Sequence, residues 1–130
     1  MKQDKEIVQP IQAAQSPLWR WAFGGCMLGV VVLALVPAPP KELTTGWDKS
    51  NHLLAFAVMA WLGCKAFPNR LVYVMFGLLA NGAVIEVLQS FTPTRFADWL
   101  DLLADGLGIV LGGALIAMGN RLFKPGCGRP

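Results

Sequence analysis

The chain has 130 residues, 55% of them apolar and only 15% charged, with a mean hydropathy of +0.50. A soluble domain of this size buries only about two thirds of its unfolded surface and carries about 25% charged residues, so the composition excludes a water-soluble fold, a disordered region and a collagen-like chain. The net charge of +3, from 11 Lys/Arg against 8 Asp/Glu, includes no basic run longer than two residues, which argues against nucleic acid as a partner.

Residues 1–17, mixed in charge, read as a cytoplasmic tail. Four apolar runs follow, and each is close to the roughly 20 helical residues that cross a hydrocarbon core of about 30 Å. The first runs from Leu18 to Val36 and stops at Pro37, Pro39 and Pro40. A secretory signal is the alternative for this run, but Pro39 after the only candidate cleavage site, and the long lead-in with Asp4 and Glu6, favour a span. The second run, Ser50 to Phe67, ends at Pro68-Asn69, and Asp48 before it is a candidate helix cap. The third, Leu71 to Phe91, ends at Thr92-Pro93-Thr94. The fourth, Asp98 to Phe123, begins with Asp98 as a candidate cap and Asp101 as a first-turn acid, and ends at Pro125-Gly126. The expectation is an all-α polytopic membrane protein: a four-helix transmembrane bundle over residues 18–123, with a second cytoplasmic tail at 124–130.

Charge asymmetry orients the bundle. Lys2, Lys5, Arg20, Lys65, Arg70, Arg121, Lys124 and Arg129 fall on one side, and Lys41, Lys49 and Arg95 on the other. Cytoplasmic flanks carry the excess of positive charge, which places both termini inside and the loops at 37–49 and 92–97 outside. Trp19 and Trp21 then sit at the inner interface, and Trp47 and Trp99 at the outer one. The cysteines Cys26, Cys64 and Cys127 show no paired spacing, so neither a disulfide framework nor a zinc knuckle is expected.

The informative residues are those a bilayer disfavours. Asp48, Lys49 and His52 open the second helix, Glu86 and Gln89 close the third, Arg95 lies in the outer turn, and Asp98, Asp101 and Asp105 open the fourth. All lie at the outer surface or within roughly 8 to 10 Å of it. Spacings of three, three, and i, i+3, i+7 give each helix a single polar face. A charge at mid-bilayer costs about 2.5 to 3.5 kcal/mol even on the lenient insertion scale, so these faces must meet inside the bundle or line a wet cavity. Gly108 and Gly112 continue the stripe as a GxxxG step that admits a close helix approach, and Gly25 and Gly29 repeat that spacing on the first helix.

At these residues the chain resembles the VanZ-like family. The resemblance covers Asp48 to about Gly112, through a DKxxH segment at Asp48, Lys49 and His52, an ExxQxFxPxR segment from Glu86 through Gln89 to Arg95, and a DxxAxxxG segment from Asp101 through Ala104 to Gly108. It implies a small multi-pass protein of the bacterial cytoplasmic (inner) membrane, related to the cell envelope. The family name derives from a relative associated with glycopeptide resistance, and that phenotype is not carried over to this chain. Asp105 departs from the usual pattern, which has Asn there.

Two functions of different class fit. In the first, the outward-facing cluster binds an anionic or lipid-linked head group, with Lys49 and Arg95 as cationic donors and Glu86 and Gln89 orienting them. In the second, a membrane-embedded enzyme uses His52 or Glu86 as general acid or base, and Glu86, Asp98, Asp101 and Asp105 offer oxygen ligands to Mg²⁺ or Ca²⁺. A single histidine disfavours zinc. No GxSxG nucleophile is present. An ion or proton carrier is a third reading, and it requires an oligomer. The lipid bilayer is the partner common to all three.

Overall fold

A computed structural model describes residues 17–37, 41–43 and 45–122. The two expected tails, except Pro17, lie outside the described residues, as do the Phe123 end of the fourth run and Cys127. Among the described residues the protein is all-helical: α1 (Pro17–Leu35), a short 3-10 turn (Lys41–Leu43), α2 (Asp48–Ala66), α3 (Leu71–Gln89) and α4 (Trp99–Leu122). Each helix matches one apolar run to within two residues at the described ends.

Local chemistry explains the boundaries. Pro17 occupies the first helical position of α1, where its missing N–H has no partner to lose and its fixed φ suits a helix. Gly46, at φ 80, turns the chain into α2. Asp48 does not cap that helix: Trp47 holds the cap position without a side-chain bond, and Asp48 is a first-turn acid beside the positive end of the helix dipole. The turn into α2 is instead tied by Thr45, whose N–H donates to Asn51 Oδ1 at 2.7 Å, and by Ser50 Oγ, which donates to the Trp47 carbonyl at 2.8 Å. Between α2 and α3 the chain reverses at Pro68-Asn69, where Asn69 takes a left-handed φ of 62 that asparagine tolerates. Asp98 does cap α4, its Oδ1 accepting the Leu100 N–H at 2.9 Å.

Three helices, α1, α3 and α4, are long and apolar enough to cross a membrane. Their outward surface is apolar, with Trp21, Leu28, Phe76, Val84, Leu107 and Val110 all exposed, which is stable next to lipid and not next to water. These are the features of a membrane protein. Helix α2 is different: Asp48, Lys49, Asn51, His52 and Lys65 lower its hydropathy, and it is the helix around which the others assemble.

Its buried stripe, His52, Phe56, Met59, Ala60, Gly63 and Ala66, keeps helical spacing along one side. The core joins Phe56, Met59 and Ala60 to Val74, Leu78 and Ile85 of α3 and Ile109 of α4. Gly108 and Gly112 let the α4 backbone lie directly on α2. A Cβ at Gly108 would collide with the Leu53 carbonyl oxygen and come within 3.1 Å of the Ala57 nitrogen, and one at Gly112 would collide with the Ala57 carbonyl oxygen. These pairings advance together along both chains, so α2 and α4 run parallel. Gly25 and Gly29 carry out no such approach, since a Cβ at either would meet nothing within 4 Å.

Candidate functional site

The ends of all four helices gather the polar residues at one end of the bundle. The N-termini of α2 and α4 and the C-termini of α1 and α3 meet there, as the parallel pairing of α2 with α4 requires. Burial is deep for groups of this polarity: Asp105 is 0% exposed, Gln89 1%, Asp101 4%, and His52 and Glu86 7% each.

Three subsets can be distinguished. The first is a network between α2 and α4: Lys49 Nζ donates to Asp98 Oδ2 at 2.7 Å and to Asp101 Oδ1 at 3.1 Å. Glu86 joins it from α3, its Oε2 accepting the Asp98 N–H at 2.9 Å. Asp98 lies just before α4, and the Lys49 ammonium, with the Leu100 N–H second, holds its carboxyl below the usual aspartate value of 3.8. The second subset is a buried pair, His52 Nδ1 with Asp105 Oδ1 at 2.8 Å. The imidazole also stacks on Phe56, with ring centroids 6.5 Å apart. The third is the rim, where Arg95 Nη1 reaches Asp48 Oδ1 at 3.5 Å.

Gln89 stands apart from these groups. Its Nε2 donates to the Ala34 carbonyl of α1 at 3.0 Å, so it ties α3 to α1. Lys49 is likewise engaged by two carboxylates, which leaves Arg95 as the cation of the cluster that lines the adjoining cavity.

A cavity of about 470 Å³ opens beside this cluster, between α1 and α2. Glu42, Thr45, Asp48, Asn51, His52 and Arg95 are the polar residues of its lining. The rest of it is apolar, floored by residues such as Cys26, Val30, Ala34 and Ala55. From Ala34 to Cys26 is two helical turns, or about 12 Å along α1. The cavity therefore has a polar mouth and an apolar trough of the depth of a short acyl segment.

Of the nine sequence-selected residues, Asp48, His52 and Arg95 line the cavity, while Lys49, Glu86, Asp98, Asp101 and Asp105 form the network behind it. The oxygen ligands expected at Glu86, Asp98, Asp101 and Asp105 are not the set brought together. Asp101 instead groups with Asp48 and His52, whose ligand atoms lie within 4.8 Å of one another. Asn51 and Thr45 at the mouth carry no periodic signal in the sequence, and only the fold of the segment before α2 reveals them. Gly82 of α3 is a further position that pattern alone does not single out. A Cβ there would collide with Asp105 Oδ2 and lie 3.3 Å from Phe56 Cζ, so its absence makes room for the buried carboxylate.

No family model, curated protein or solved structure matches this chain.

Proposed function

We propose that this protein is a VanZ-like, envelope-related protein of the bacterial inner membrane that binds the anionic or lipid-linked head group of an amphiphile at the outer leaflet. The observation that carries the reading is the cavity between α1 and α2, with Arg95, Asp48, Asn51 and His52 at one end and an apolar trough at the other. A bilayer amphiphile has the same division along its length. Arg95 is the recognition group: its planar guanidinium suits phosphate or carboxylate, and its side-chain hydrogen bond among the described residues is a 3.5 Å approach to Asp48. In this reading α2 is the fourth crossing. It runs parallel to α4 and joins the outer end of α1 to the inner end of α3, with both chain termini in the cytoplasm.

Mass spectrometry of lipids retained by the protein in nanodiscs made from the native membrane tests this. Wild type should retain an anionic or lipid-linked amphiphile. Arg95→Ala should weaken retention by about 10- to 100-fold, the cost of one charge-assisted hydrogen bond of about 1.5 to 3 kcal/mol. Ala55→Trp, which fills the trough without touching the charges, should do the same. An identical lipid profile in all three proteins, each with unchanged helical content, would overturn the proposal.

A further inference from the structure

The second arrangement at this end of the bundle has the form of a metal site. Asp48 and His52, one helical turn apart on α2, and Asp101 from α4 place a carboxylate oxygen, an imidazole nitrogen and a second carboxylate oxygen within 4.8 Å of one another. Donors around one tetrahedral zinc-like ion sit at about 2.0 to 2.2 Å from it and therefore about 3.3 to 3.6 Å apart. The trio closes on an ion with side-chain movements of about an ångström.

Several features prepare these donors. With the proton on Nδ1, His52 donates to Asp105 Oδ1 at 2.8 Å, which fixes the ring and leaves the Nε2 lone pair as the ligand. A carboxylate behind a ligating histidine is the usual second layer of such sites. Asp48 and Asp101 each engage their cation through Oδ1, at 3.5 Å to Arg95 and 3.1 Å to Lys49, and each keeps Oδ2. Asp48 is half exposed and, like His52, lines the cavity, so an ion has a path in.

An independent observation comes from α3. Glu86 is 7% exposed, lies within electrostatic reach of Asp101, His52 and Asp105, and its Oε1 has no partner. A buried carboxylate oxygen left bare within reach of Asp101 and His52 is costly unless something positive is near it. The charges point the same way: Asp48, Glu86, Asp98, Asp101 and Asp105 face only Lys49, Arg95 and His52 as positive or potentially positive groups. A divalent cation offsets the excess.

We propose that Asp48, His52 and Asp101 bind one divalent transition-metal ion, Zn²⁺ or Mn²⁺, with Asp105 as a positioning residue. An imidazole among carboxylates favours these ions over Mg²⁺ or Ca²⁺, which prefer oxygen donors alone. Asp48 and His52 also line the cavity, but metal binding is read without any amphiphile present.

The test uses the full chain in detergent micelles, stripped with chelator and titrated with Co²⁺ as a spectroscopic probe, with Zn²⁺ and Mn²⁺ as competitors and the bound metal counted by elemental analysis. One Co²⁺ per chain should bind and be displaced by either competitor. Asp48→Asn, at a half-exposed position that folding tolerates, and His52→Gln should each weaken binding by more than about 100-fold, and Asp105→Asn by about 10- to 100-fold. A variant with Cys26, Cys64 and Cys127 all changed to Ser should bind as wild type does. Absence of a bound ion in the folded wild type would overturn the proposal. So would unchanged binding in Asp48→Asn and His52→Gln, or loss of binding in the cysteine-free variant.

Discussion

At the residue scale, Asp98 shows how one side chain can serve local structure and tertiary contact together. Its Oδ1 caps α4 through the Leu100 N–H, and its Oδ2 accepts the Lys49 ammonium of α2 at 2.7 Å. Both contacts favour the ionised form, which is why its carboxyl titrates below the ordinary value of 3.8. The folded protein therefore takes up this proton less readily than the unfolded chain. The stabilisation is fully present above the ordinary carboxylate range and is lost as pH falls through the lower, folded value. Thermal unfolding in detergent at pH 7 and across the range below about pH 4 should show this loss, and Asp98→Asn should flatten it. Equal pH dependence in the two proteins would show that Asp98 is not the group responsible. The composition of the cluster was readable in the sequence because each ionisable group interrupts or borders an apolar run. The partner of each group was not: Lys49 and Arg95 look alike as outer-face cations, yet Lys49 is consumed by Asp98 and Asp101 while Arg95 stands at the cavity.

At the scale of elements, the α2–α4 contact sets the geometry of everything at the polar end. Lys49 with Asp101 and His52 with Asp105 are adjacent rungs of one parallel helix pair, and Gly108 and Gly112 bring its backbones together below them. Replacing Gly108 by Ala puts a methyl group against the Leu53 carbonyl and the Ala57 nitrogen, and backbone atoms cannot swing aside as a flexible side chain can. This should destabilise the bundle by about 1 to 3 kcal/mol, the usual cost of overpacking, as read by denaturant unfolding in micelles. Gly106→Ala, two residues away, meets nothing within 4 Å and should leave stability unchanged or slightly raised. Equal effects at the two positions would show that the close approach is not what Gly108 provides. The GxxxG spacing at Gly108 and Gly112 was visible in the sequence, but so was the one at Gly25 and Gly29, which faces open space. Spacing marks where a helix can be approached closely, and only the packing decides where it is.

For the whole molecule, three helices meet the length and hydropathy needed to cross a membrane, and α2 completes the proposed topology by joining opposite ends of its neighbours. Single cysteines in a cysteine-free background test it in intact cells. A cysteine replacing Phe96, 89% exposed in the turn before α4, should react with a membrane-impermeant maleimide, and one replacing Arg70, between α2 and α3, should react only after the membrane is opened. The opposite pattern, with the Arg70 position labelled from outside and the Phe96 position only after opening, would reject the proposed topology, since it follows if α2 stays outside or the bundle is inverted.

The amino-acid sequence alone determined the class of molecule and the positions of its helices, because hydropathy and proline punctuation act locally and a bilayer tolerates no unsatisfied backbone. It also determined that the polar faces had to turn inward, since lipid cannot solvate them. Tertiary structure decided which polar residues meet, because contacts such as His52 with Asp105, or Gln89 with the Ala34 carbonyl, depend on the rotation and register of helices far apart in the chain. It also decided that a cavity opens between α1 and α2, where the side chains of two helices leave a space that neither helix encodes by itself.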